Sequence, residues 1–177
     1  MRRVLLLMRH AEAARGGGPG GDHARALSAR GREQARAAGT WLEGRAAGLT
    51  HPGAAAPPLA LSSSARRAVE TLEALRETCP WLREAEVRIG RELYLADSEG
   101  LLEALGALGE EPRAVVLVGH NPGIGTLAAA LARAGDAGAL ARLRSGFPPA
   151  ALALLELAPR WIHAARGGAL LGAFAPP

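Results

Sequence analysis

The sequence predicts an α/β protein: a three-layer sandwich with a mainly parallel central sheet and helices on both faces. Three observations carry this reading. Residues 2–8 ("RRVLLLM"), 59–63 ("LALSS") and 113–120 ("RAVVLVGH") are short runs with little polar alternation, the mark of strands buried on both faces. Each is followed, directly or after a loop, by a stretch with helical spacing of apolar residues, which is the βαβ pattern. Apolar residues make up 49% of the 177, enough for a buried core and too many for a disordered chain.

Taken in order, residues 2–8 form the first strand, and residues 12–27 ("EAARGGGPGGDHARAL") a long loop without periodicity. Ser28 is the expected N-cap of a helix over 29–46, with Ala35, Ala38, Trp41 and Leu42 on its apolar stripe. Residues 50–58 read as a linker and 59–63 as the second strand. A helix over 65–78 presents Ala68, Val69, Leu72 and Leu75 on one face. Residues 86–90 ("EVRIG") read as a short strand, and Asp97 or Ser98 caps a helix over 98–108. The strand at 113–120 leads at once into a helix over 121–134, with Pro122 near its first turn. Residues 149–157, 161–166 and 169–174 read as strands joined by Pro and Gly turns. No internal repeat or domain boundary is visible, so residues 1–177 are expected to form one domain.

The chemistry gathers at strand ends. The first strand ends in Arg9-His10. The second ends in Ser62-Ser63-Ser64 and leads to Arg66-Arg67. The strand at 113–120 ends in His120, followed by Asn121. If these strands are parallel, one edge of the sheet collects all of them, and that edge is where ligands bind in such folds. Guanidinium forks and helix N-termini both favour an anion with several oxygens, such as phosphate. Nearby positive charge keeps a histidine neutral at pH 7 and leaves one ring nitrogen free to attack. His10 is therefore the candidate nucleophile on phosphorus. Arg9, Arg67 and His120 are the candidates to stabilise the charge on the transferring oxygens.

The segments "MRHAEA", "SSSARRAVET" and "VVLVGHNPGIGTL" resemble the histidine phosphatase superfamily, the phosphoglycerate mutase-like family. The resemblance is to its small bacterial branch of phosphohistidine phosphatases. It extends through "DHARALSARGREQARAAGTWL" (22–42), "RELYLADSEGLLEAL" (91–105) and "FPPAALALLEL" (147–157). It implies that His10 is the nucleophile, that Arg9 and Arg67 bind phosphate, and that His120 is the second pocket histidine. Arg67 follows Ser63 by four residues and Thr71 follows Arg67 by four, as in the family motif. The superfamily's common glycine after the histidine is here Ala11. Its larger members carry a glutamate acid in the segment that here reads "ELYLADSE", where Leu95 or Ala96 stands; Asp97, Glu92 and Tyr94 are the nearby substitutes. A phosphorylated imidazole can leave already protonated and needs no such acid, whereas an alkoxide does. The short span between residues 72 and 112 leaves little room for a lid. Both features favour a protein phosphohistidine as substrate. The alternatives are a small-molecule phosphomonoesterase of the same fold and a non-catalytic phosphate-binding module.

Other readings are weaker. Arg66, beside Arg67 on the helix, is expected in solvent, as is His23; His51 and His163 are expected to be structural or exposed. His10 and His120 have no carboxylate or cysteine beside them and face arginines, which repel a cation, so neither metal nor cofactor is expected. No Gly-Lys-Ser/Thr follows the glycines of the long loop, so they are not a phosphate loop. Every basic side chain apart from histidine is arginine, scattered rather than striped, and aromatics are scarce, so nucleic acid is not an expected partner. No apolar run reaches about 18 residues, and Arg9 and His10 interrupt the one nearest the N-terminus, so neither a membrane span nor a cleaved signal is expected. Cys79 is the only cysteine, expected to serve packing, which fits a reducing cytoplasm.

Overall fold

The structure, a computed structural model, describes residues 2–16, 18–49, 57–109 and 112–177. The described strands are β1 (Arg3–Arg9), β2 (Leu59–Ser63), β3 (Glu86–Gly90), β4 (Ala114–Gly119), β5 (Ala132–Gly135), β6 (Leu152–Leu157) and β7 (Gly168–Phe174). They form one sheet in the order β3-β2-β4-β1-β6-β7-β5. Only β6 runs against the others. The predicted class is therefore the observed one.

Side chains alternate across the sheet and build two cores. Leu5, Leu7, Leu61, Val115 and Leu117 face α3 (Ser98–Gly106), α4 (Gly123–Leu131) and α5 (Ala137–Arg144). Leu6, Met8, Ala60, Val116 and Val118 face α1 (Ala29–Leu49) and α2 (Arg66–Thr78). Leu5, Leu6, Leu7 and Leu117 are completely buried, and each such leucine contributes roughly 1.5–3 kcal/mol. Ser28 caps α1 by accepting from Gly31 N–H at 2.9 Å, and Asp97 caps α3 by accepting from Gly100 N–H at 2.9 Å.

Two stretches differ from the sequence reading. Residues 161–166 form a 3-10 helix, not a strand. Trp161 and Ala164 are the buried pair there, and spacing by three is the 3-10 period. Trp161 is held by its indole N–H, which donates to Pro112 O at 2.8 Å. The helix expected over 121–134 ends at Leu131; β5 begins within its expected tail, and α5 follows in a stretch where no element is expected. Asp136 caps α5 by accepting from Ala139 N–H at 2.8 Å. The long loop at 12–27 contains two 3-10 turns, Gly18–Gly20 and Asp22–Ala24, and is closed by a bridge between Ala13 and Leu27. Most of the 50–58 linker, His51 included, lies outside the described residues.

The register brings the carboxyl ends of three strands level. Arg9 of β1 pairs with Gly119 of β4, and Ser62 of β2 with Val118 of β4. Gly123 opens α4 against the backbone of Ala96, where a Cβ would come within 2.0 Å of the carbonyl oxygen. That close approach packs the turn after His120 on the segment that carries Tyr94.

Candidate active site

The end of β1 places His10, the first turn of α2 places Arg67, and the turn from β4 to α4 places His120. Thr71 ties two of these together. Its hydroxyl donates to Arg67 O at 2.6 Å and accepts from Ala11 N–H at 3.0 Å, so α2 is fixed against the end of β1.

His10 Nδ1 lies 2.8 Å from Ala11 O. A carbonyl only accepts, so Nδ1 carries the hydrogen and Nε2 keeps its lone pair. Arg67 Nε donates to that Nε2 at 3.2 Å. The other arms of Arg67 donate to Asp22 O at 2.6 Å, Asp22 Oδ2 at 2.8 Å and His120 Nδ1 at 3.4 Å. A guanidinium has donors only, so His120 carries its hydrogen on Nε2 and donates to Ser63 Oγ at 2.8 Å. The two histidine rings stand edge-on with centroids 5.0 Å apart.

Both histidines are held neutral. Burial brings His10 down to about 4, helped by the charges of Arg67, Arg9 and Arg25 against the opposing pull of the Ala11 carbonyl. Burial also brings His120 down to about 3, with His10 and Arg67 adding to it. Desolvation is the larger cause in each case, and the arginines reinforce it.

Of the four sequence candidates, His10, Arg67 and His120 share one cluster. Arg9 lies at its edge: its charge bears on His10, while its Nη1 donates to Phe147 O at 3.1 Å. Arg66 is exposed and pairs with Glu70 at 2.7 Å, as expected of a solvent residue. His23 departs from its solvent expectation. Its Nε2 is 3.0 Å from Ser64 Oγ, and its ring meets that of Tyr94 at 4.8 Å. His163 sits in the 161–166 turn, half-buried.

The main addition is Asp22, from the long loop. Its Oδ2 accepts from Tyr94 OH at 2.8 Å as well as from Arg67, and Oδ1 accepts from Arg25 at 3.0 Å. Those bonds, Tyr94's first, hold the carboxyl at about 2. The same bond raises the Tyr94 phenol above its ordinary value. Tyr94 is the one candidate proton donor seated at the cluster, its ring 5.4 Å from that of His120. Asp97 is engaged as the α3 cap, and Glu92 is exposed. The signal for Asp22 was its being the one acid within residues 13–27.

Cys79 lies apart, buried, its thiol donating to Glu43 at 3.3 Å and pushed up to about 12 by burial, which suits packing rather than reaction. Among the described residues no three His, Cys, Asp or Glu side chains are grouped to hold a metal ion, and no helix is long and apolar enough to cross a membrane.

Known proteins resemble this chain in sequence and fold. An uncharacterised protein of Mycobacterium leprae is 34% identical over 157 residues, 88% of this chain and 89% of its own. The structure of a proposed phosphohistidine phosphatase SixA from Nakamurella multipartitia superposes with a TM-score of 0.79 at 30% identity, covering 99% of this chain and 97% of that one. A second proposed phosphohistidine phosphatase SixA, from Agrobacterium tumefaciens, gives 0.76 at 29%, covering 99% and 100%. The sequence model of the histidine phosphatase superfamily (branch 1) matches residues 5–134, from the middle of β1 through the helix after His120. A fold shared end to end, and a family match spanning all three strand ends, lead to one conclusion: this chain belongs to the histidine phosphatase superfamily.

Proposed function

We propose that the protein is a metal-independent phosphatase that works through a phosphohistidine on His10, and that its preferred substrate is a phosphohistidine on a protein. The observation that carries the reading is the tautomer of His10. With Nδ1–H engaged by Ala11 O, the Nε2 lone pair is directed at the Arg67 guanidinium, where a phosphoryl group would be held. The Nε2–P bond forms as the bond to the leaving imidazole breaks, and its electron pair stays on that imidazole, which departs neutral if it entered protonated. Water then attacks phosphorus, His10 recovers its lone pair, and the proton from water leaves on phosphate. Arg67 and Arg9 balance the charge on the equatorial oxygens, with His120 seated beside them. Residues 1–177 act as one domain in this reading, in a reducing cytoplasm.

A working reaction quenched with denaturant should yield a labelled protein that is stable in alkali and labile in acid. An acid-stable label would move the nucleophile to a serine of the 62–64 run. The pH profile gives a second check. Protonated His10 cannot attack, so kcat/KM, corrected for substrate ionisation, should stay level from pH 7 down and fall only as pH approaches about 4. A fall centred near the ordinary histidine value of about 6.5 would contradict the neutral pocket.

One observation favours the second reading, a small-molecule phosphomonoesterase. The Tyr94–Asp22 pair places a phenol beside the cluster, where it could protonate an alkoxide. Competition between a phosphorylated histidine-containing protein and a panel of phosphomonoesters separates the two. Faster release from the esters would overturn the protein substrate.

A further inference from the structure

A second cavity of about 450 Å³ opens beside Arg9, and the phosphoryl chemistry above does not use it. Arg9, Asn121, Arg142, Ser145 and Phe147 line it, with no carboxylate among the lining residues. Neither Arg9 nor Arg142 has an ion pair among the described residues. The wall is fixed at one point: Arg9 Nη1 and Asn121 Nδ2 both donate to Phe147 O, at 3.1 and 2.8 Å. The remaining polar atoms of those two side chains are left over. Arg9 Nε and Asn121 Oδ1 are buried and have no hydrogen-bond partner. Both atoms are sealed from solvent and Asn121 Oδ1 only accepts, so neither would contact an anion in the cavity; that role falls to the two arginines that line it. Two arginines lining one cavity, neither ion-paired among the described residues, favour an anion there.

We propose that this cavity is a second anion subsite, which takes a carboxylate or phosphate carried by the substrate beside its scissile phosphoryl group. The proposal rests on the reading that the His10 cluster receives that phosphoryl group. Arg9 links the two places, since its charge bears on His10 and its side chain lines the cavity. The second anion has two sources: an acidic side chain flanking a phosphohistidine on a protein, or a second acidic group on a small phosphomonoester.

Arg142 stands exposed at the mouth and lies outside the His10 cluster, so it is the place to test. The measurement is the ratio of kcat/KM for carboxyphenyl phosphate over phenyl phosphate, in the wild type, Arg142→Gln and Arg142→Glu. The ratio should fall about five-fold or more with Arg142→Glu and less with Arg142→Gln, the scale of a single exposed charge pair reversed. A ratio that stays at the wild-type value overturns the subsite. The same ratio for phosphohistidine peptides flanked by glutamate or glutamine identifies the source. A fall there assigns the anion to a protein substrate, and a fall confined to the small ester assigns it to a metabolite. Calorimetric binding of both aryl phosphates to the His10→Ala protein is independent of turnover. If no compound is hydrolysed, the phosphatase reading fails, yet tighter binding of the carboxylated compound, lost with Arg142→Glu, still supports the subsite. Equal binding of the two compounds overturns it.

Discussion

Replacing His10 by alanine should lower kcat/KM on an aryl phosphate by on the order of 10⁴-fold or more, the scale seen when a covalent nucleophile is removed. The acid-labile label should vanish with it. The residual rate would come from Arg67, Arg9 and His120, which can still hold and polarise phosphate. The fold should survive, because His10 follows β1 and its backbone N–H donates to Gly119 O at 3.0 Å whatever the side chain. Circular dichroism checks that point, and steady-state kinetics checks the first. A variant retaining a tenth of the wild-type activity would remove His10 as nucleophile.

The second large effect is expected at Arg67. Its one guanidinium touches His10, His120 and Asp22. Arg67→Ala should cost about 10²–10³ in kcat, the usual loss when a donor to a developing oxyanion is removed. Arg67→Lys should not restore it, because an ammonium is a point charge and cannot span three partners from one plane. The acid limb of the pH profile should also move up, since a positive charge beside both histidines has gone. The move should be partial, because burial rather than Arg67 is the leading cause of both low values. A lysine variant within about three-fold of wild type would show that charge alone suffices.

Much of this was legible from residue order. The strands at 59–63 and 114–119 are apolar runs between turn signals, and parallel pairing then forces Arg9-His10, Ser63 and His120 to one edge. Arg67 followed because it lies in the first turn of the helix after β2. The illegible parts have physical causes. β5 is four exposed or half-buried residues, "ARAG", which continue the alanine-rich pattern of α4 without a break in composition. "WIHAAR" is too short for its period of three to stand out from an alternating strand. Asp22 and His23 sit in a glycine-rich loop whose course follows from contacts with α2 and Tyr94, and no local periodicity encodes such contacts.

The carboxylate that Asp22 rests on Arg67 has a bearing on what an idle molecule does in a cell full of stray anions. In this structure the guanidinium is already engaged by the Asp22 carboxylate and backbone oxygen, so a chloride, sulfate or orthophosphate binding there would have to displace that carboxylate. Casual occupants gain little from the exchange. If Arg67 holds the phosphoryl group as proposed, a group bringing three charged oxygens and contacts of its own would gain more, so the tether would favour it over a casual occupant.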